Sequence, residues 1–326
     1  MGLRGRYAAA AVAAALAVGL PACGGDDGDG GSEQPPMARS EDFPRVDGKT
    51  IEQLREGLQP GPVVAPSVSV LTPGEKVRFG FGLFDRARKQ IADAPVALYV
   101  GSAGGGPARG PFLARYESLE VEPQFQSESV KTDPDAAESV YVAQLPFQQP
   151  GEYEVLGVTK LDDRLVVSDR LPVQVTEDSS MPDVGEDAPR ISTPTVDDVG
   201  SIEEIETRVP PDSMHDVDYA DVIGKKPIML LFSTPQLCQQ RVCGPVNDVT
   251  EQLKSEHADE AAWIHMEIFE DNEVEKGLRE QVTDFGLQTE PWLFAIDAEG
   301  KVAARLEGAF SLSEAEAALL AATGGG

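Results

Sequence analysis

The stretch Ile228-Met229-Leu230-Leu231-Phe232-Ser233-Thr234-Pro235-Gln236-Leu237-Cys238-Gln239-Gln240-Arg241-Val242-Cys243-Gly244-Pro245 decides the fold. Its first five residues are all apolar, the pattern of a strand buried on both faces. A short loop then carries Cys238. Cys243 opens a helix on which Val242, Val246, Val249 and Leu253 keep helical spacing. Pro245 fits only in a first turn, where its missing N–H has no partner to lose. A second stretch, Phe285-Gly286-Leu287-Gln288-Thr289-Glu290-Pro291-Trp292-Leu293-Phe294-Ala295-Ile296-Asp297, reads as a helix end closed by Gly286, a turn, and a strand with a proline just ahead of it. Asp297-Ala298-Glu299-Gly300 then forms a hairpin turn.

Trp263–Phe269 is the strand between these two stretches, and Val274, Leu278, Val282 and Phe285 mark a helix before the second. Ser311 with Glu314 makes a capping-box start for a last helix that ends at Gly324-Gly325-Gly326. With Val184–Pro194 and Asp221–Pro227 ahead of the first strand, this order resembles the thioredoxin-like fold, and within it the membrane-anchored TlpA type, over roughly residues 182–323. The resemblance implies an α/β domain, residues 178–326, with a central mixed sheet. In it a redox cysteine pair at a strand-to-helix junction faces a cis-proline. Cys238 and Cys243 would then be the catalytic pair and Pro291 the proline, with Glu290 and Thr289 binding the substrate as an extended strand. The chain departs from the family in two respects. Four residues separate its cysteines instead of two, and Leu237 stands where a tryptophan is usual. Cys243-Gly244-Pro245-Val246 also looks like the start of the common motif with valine at its second cysteine, so two registers are open. Distance from Phe232 favours Cys238 as the attacking thiol, with Cys243 resolving.

At the other end, Arg4 and Arg6 precede an alanine-rich apolar run, Ala8–Leu20, too short for a convincing membrane span. Leu20-Pro21-Ala22-Cys23 follows, and then Gly24-Gly25-Asp26-Asp27. Residues 1–23 thus resemble a bacterial lipoprotein signal peptide, whose cleavage leaves Cys23 as a lipid-bearing N-terminus. Several acyl chains on one cysteine anchor stably, which implies a protein tethered to the extracytoplasmic face of the cell membrane. With Cys23 lipidated, Cys238 and Cys243 are the thiols left, in a compartment where disulfides persist. Residues 24–62, rich in Gly, Asp, Glu and Pro, read as a disordered tether with one short helical candidate, Thr50–Leu58.

Residues 63–177 change to a period of two. Val77, Phe79, Phe81 and Leu83 alternate with Lys76, Arg78, Gly80 and Gly82. Further strand candidates are Ser67–Leu71, Val96–Val100, Ser139–Leu145, Tyr153–Thr159, Arg164–Val167 and Leu171–Val175, while 101–110 and 120–138 read as long loops. About seven short strands predict an all-β sandwich. Pro150–Val155 resembles the late strand of bacterial Ig-like domains, where a tyrosine packs back on the preceding corner.

The formal charge of −29 disfavours nucleic acid as a partner, since phosphates demand a basic surface. Glu177–Asp221 holds 14 acidic residues against Arg190 and Arg208 and reads as a solvated face. The resemblance therefore points to a membrane-tethered thiol–disulfide oxidoreductase acting on a protein thiol, disulfide or electron donor, with no cofactor and no metal. Two alternatives stand beside it. One is copper delivery of the Sco type, because thiols with a histidine suit a soft metal; of His215, His257 and His265, the strand residue His265 reads rather as a packed side chain. The other is a non-catalytic binding lipoprotein in which Cys238 and Cys243 form a structural disulfide, worth about 2 kcal/mol for so small a loop.

Overall fold

A computed structural model of the chain describes residues 37–177, 179–238 and 240–324; Cys23 and the signal segment lie outside them. It is a mostly-β protein of several sheets with some helices. Among the described residues no helix is long and apolar enough to cross a membrane. Helix α1 (Ile51–Arg55) precedes ten strands: β1 (Gln59–Pro60), β2 (Val63–Pro66), β3 (Gly74–Phe84), β4 (Val96–Ser102), β5 (Arg109–Leu113), β6 (Arg115–Ser118), β7 (Ser139–Phe147), β8 (Gly151–Leu161), β9 (Arg164–Val167) and β10 (Leu171–Val175). Helix α2 (Glu128–Thr132) lies between β6 and β7. One sheet has the order β1-β9-β8-β4-β5, with β10 also paired to β8; the other runs β2-β3-β7-β6. Phe79, Phe81 and Leu83 of β3 and Tyr141, Ala143 and Leu145 of β7 meet Val96, Leu98 and Val100 of β4 in one shared core. The Tyr153 hydroxyl donates to the Gln149 carbonyl at 2.9 Å, four residues upstream.

Neither sheet leaves its outer face to water, which is why the polar half of the alternation is missing from β4 and β7. On β4, Ala97 and Tyr99 point outward and are covered by Phe43, Ile51 and Leu54. Residues 37–62 are therefore no tether. The Thr50 hydroxyl accepts from the Gln53 N–H in a capping box that starts α1, and the Tyr99 hydroxyl donates to the Pro44 carbonyl at 2.7 Å. Three well-placed apolar residues outweigh a polar composition because each finds a prepared face. On β7, Val140 and Val142 point outward into a cluster with Val242 and Ala309 of the C-terminal half.

That half is built on a four-stranded sheet, order β12-β11-β13-β14, from β11 (Ile228–Phe232), β12 (Ala262–Met266), β13 (Trp292–Ile296) and β14 (Val302–Glu307). β11 and β12 are parallel and the other pairings antiparallel, so the sheet is mixed. Ile228, Leu230 and Phe232 face α3 (Tyr219–Val222) and α5 (Glu280–Asp284). Met229 and Leu231 face α4 (Cys243–His257) and α6 (Leu312–Thr323). Ser311 caps α6 by accepting from the Glu314 N–H, and Gly324 closes it in the left-handed region. Only the end of the helix expected over 274–285 forms, because Asp271, Asn272 and Gly277 take positive φ and turn the chain back on itself.

Ser67–Leu71, expected as a strand, is instead the connector that meets the C-terminal half; a single bridge, Leu71 to Val175, remains. The Glu307 carboxylate accepts from the Ser69 N–H (2.9 Å), the Ser69 hydroxyl (2.6 Å) and the Val70 N–H (3.1 Å). From the outer face of β3, Arg78 gives Nε and Nη2 to the two oxygens of Glu314, at 2.9 and 2.8 Å. Gly308 makes this approach possible. Its φ is +69°, and a Cβ there would lie 1.8 Å from the Ser67 carbonyl oxygen. Gly308→Ala should therefore cost clearly more stability in urea unfolding than Gly105→Ala, whose φ of +85° faces open space and carries only the left-handed cost of about 1–2 kcal/mol. Equal losses would mean that the two halves do not need this contact.

Candidate functional site

β11 ends at Phe232, and the Cys238 N–H closes the following turn by donating to the Thr234 carbonyl at 3.1 Å. Arg241 then takes a left-handed φ of 58°, and α4 begins at Cys243. Val242, at the N-cap, supplies no side-chain acceptor, so the first N–H groups of the helix need another partner. The Cys238 sulfur stands at that helix start, where the Cys243 N–H is turned to it. It accepts from the Cys243 thiol and, against the opposing effect of burial, from the backbone N–H groups of Cys243, Val242 and Gln240; its pKa falls to about 7. Burial pushes the Cys243 thiol well above its ordinary value, helped by its hydrogen bond to Cys238 and the nearby charge of Glu290. Both are free thiols, Cys238 half-buried and Cys243 buried. A low thiol beside a high one is what separates a nucleophile from its reserve partner.

The register of the sheet brings the second stretch to the same place. Trp292 pairs with Phe232, so Pro291 stands beside the end of β11. The Glu290–Pro291 bond is cis. Glu290 thus comes near enough for its charge to bear on the Cys243 thiol. The Thr289 hydroxyl donates to Glu307 at 3.0 Å and accepts from Trp292 Nε1 at 3.1 Å.

Cys238 opens on a groove of about 680 Å³. One wall is the cysteine loop, with Pro235, Gln236 and Arg241. The other is the 120–138 segment, no plain loop, whose helix α2 presents Glu128, Ser129 and Val130. Arg241 ties the two walls, with ion pairs to Asp133 (3.1 Å) and Asp135 (2.5 Å) and its carbonyl accepting from the Ala137 N–H (3.2 Å).

A second polar centre lies below. Part of the acidic run read as a solvated face is buried: Glu206, Arg208, Asp212 and His215 are each at most 8 % exposed. Glu206, Asp212 and His215 converge on His265 of β12. Burial works against the Glu206 and Asp212 carboxylates, but the facing His265 outweighs it and holds both below the usual range. Glu267 goes the other way, pushed up by burial. Sequence reasoning missed this cluster; its one signal was a lone histidine, His215, three residues after an aspartate in a strongly acidic stretch. His265 is packed, as expected, and it faces carboxylates rather than thiols.

No family model and no curated protein matches the chain. Among solved structures it is similar to a thiol:disulfide interchange protein, a thioredoxin family protein from Chlorobium tepidum TLS, at 19% identity and a TM-score of 0.28 over 45% of this chain and 99% of that one. It is also similar to the ZirS C-terminal domain, at 11% identity and a TM-score of 0.18 over 50% and 97%. Both scores are low, and what bears on function is the site itself.

The thiol pair gives a direct test. In the reduced protein, alkylation of Cys238 should rise with pH through a midpoint near 7, because its lowered pKa makes the thiolate the main form above that pH. Cys243 should stay unmodified through that range. Mass-resolved alkylation across pH measures both, and a Cys238 midpoint in the range of a free thiol, about 8.5, would contradict the cradle of N–H donors.

Proposed function

We propose that the chain is a membrane-tethered, extracytoplasmic thiol–disulfide oxidoreductase, with a thioredoxin-like domain carrying the Cys238–Cys243 pair and an Ig-like domain forming the far wall of its groove. The observation that carries this reading is the Cys238 sulfur at the uncapped start of α4, held by three backbone N–H groups and the Cys243 thiol. A plain structural disulfide gains nothing from that arrangement. The Tyr153 corner speaks for the Ig-like reading of the first domain.

In the working direction of a reductase, the Cys238 thiolate attacks one sulfur of a substrate disulfide. A mixed disulfide forms, and the second substrate sulfur leaves as a thiolate. Cys243 then gives up its proton, which the departing substrate sulfur takes in exchange through solvent, and attacks the Cys238 sulfur. The Cys238–Cys243 disulfide forms, and the first substrate sulfur leaves as a thiolate, which takes its proton from solvent. Two electrons pass to the substrate, and a protein dithiol donor must return them. Burial, with the hydrogen bond to Cys238 and its charge and a smaller push from Glu290, keeps Cys243 protonated until Cys238 has spent its charge. Copper delivery is the weaker reading, since His265 and His215 are engaged with Glu206 and Asp212 instead of facing the thiols.

Cys243→Ser should trap mixed disulfides on Cys238, visible as adducts on non-reducing gels, whereas Cys238→Ser should trap none. The opposite pattern would move the attack to Cys243. The pair should also have a reduction potential above about −300 mV, the region of structural bridges lying below it. As for the tether, Cys23→Ala should shift the protein from the membrane fraction to the medium or leave it unprocessed; wild-type protein found soluble with an unmodified Cys23 would exclude the lipid anchor.

A further inference from the structure

The buried cluster beneath the cysteine loop has a function of its own. We propose that Glu206, Asp212, His215 and His265 form a closed structural site for one divalent transition-metal ion of the Zn²⁺ class.

The geometry comes first. All four side chains are buried, and one ligand atom from each lies within 4.8 Å of the others. His215 Nε2 is 3.1 Å from Glu206 Oε2 and 3.6 Å from Asp212 Oδ1. His265 Nδ1 is 3.3 Å from Glu206 Oε2 and 2.8 Å from Asp212 Oδ2. A tetrahedral ion with bonds of about 2.0–2.1 Å holds its ligands about 3.3 Å apart; the shorter separations lie near that spacing, with Asp212 turning a different oxygen to each histidine.

Donor and acceptor roles point the same way. His265 Nε2 lies 3.2 Å from the Ser233 carbonyl and 2.9 Å from the Ser233 hydroxyl. A carbonyl can only accept, so Nε2 carries a hydrogen, and in the neutral ring the lone pair of Nδ1 is then aimed at two carboxylates. Acceptors facing acceptors in a buried site need a cation between them. A ring N–H given to a backbone carbonyl is the usual way a metal-bound histidine is oriented. The carboxylates are steadied likewise: the Arg208 N–H donates to Glu206 at 2.6 Å and the Met214 N–H to Asp212 at 2.8 Å.

Charge completes the argument. Two buried carboxylates need a balancing charge, which without an ion falls to a protonated His265 and which one divalent ion bound by two neutral imidazoles meets in full. Two nitrogen and two oxygen donors suit Zn²⁺ rather than a soft copper(I) ion. The protein fills all four positions, so the ion is structural. It would clamp the 201–218 segment onto β12 and α4, just below Ser233 and the cysteine loop.

The full chain, purified without chelator, should hold about one Zn²⁺ by elemental analysis. Stripping should lower its melting temperature, and added Zn²⁺ should restore it. Asp212→Asn and His215→Ala should each weaken Zn²⁺ binding more than tenfold, while the double variant Cys238→Ser/Cys243→Ser should keep the ion. Should the ligand variants fail to fold, Co²⁺ bound to the wild-type chain decides: tetrahedral d–d bands without thiolate charge transfer support the site. Thiolate charge transfer, loss of the ion in the cysteine variant, or a stripped protein indifferent to micromolar Zn²⁺ would each overturn it, the last leaving two protonated imidazoles as the balancing charge.

Discussion

The arrangement around the cysteines depends on one buried ion pair, Arg208 with Asp248. Asp248 sits on α4 just over a turn beyond Cys243 and accepts from Arg208 Nε at 2.9 Å, from the Ser127 N–H at 2.9 Å and from the Ser127 hydroxyl at 3.1 Å. Arg208 spends its other N–H groups on the carbonyls of Pro210 (2.6 Å) and Phe125 (2.5 Å). Helix, acidic segment and the loop that walls the groove thus meet at two side chains. Burial pushes the Asp248 carboxyl up, and Arg208 and Ser127 pull against it. Such a pair gives little net stability over an apolar replacement, yet losing one partner costs about 3–5 kcal/mol. Its role here is placement: it fixes where α4 starts, and so where Cys238 finds its donors.

The same economy governs the thiols. The start of α4 has no side-chain cap, and an uncapped helix start is a standing demand for an acceptor. A thiolate meets that demand better than a thiol, so an ordinary structural need becomes a chemical bias toward the charged form. The partner is treated in the opposite way, fully buried and given only the first sulfur to donate to. Two cysteines close in sequence are thereby set far apart in reactivity.

Much of this was legible in the residues. The all-apolar run Ile228–Phe232, the helical spacing after Cys243, Gly286 and the Ser311 cap each state a local rule that the fold obeys, and Pro291 was placed by the strand it precedes. The errors share one physical cause. The 37–62 segment, Ser67–Leu71 and the Glu206–His215 stretch were all misjudged because their partners lie far away in sequence. A polar or mixed pattern says that a segment does not make its own core; it does not say that no other surface is waiting for it.

Gly308 carries a consequence beyond stability. Because a backbone-to-backbone approach at Ser67 is locked by Arg78 and Glu314 on one side and by Glu307 on the other, the two halves share a rigid seam. The groove above Cys238 has one wall from each half, so its width is a fixed dimension of the molecule, not a variable set by domain opening. Access to the sulfur becomes a matter of the visitor's thickness.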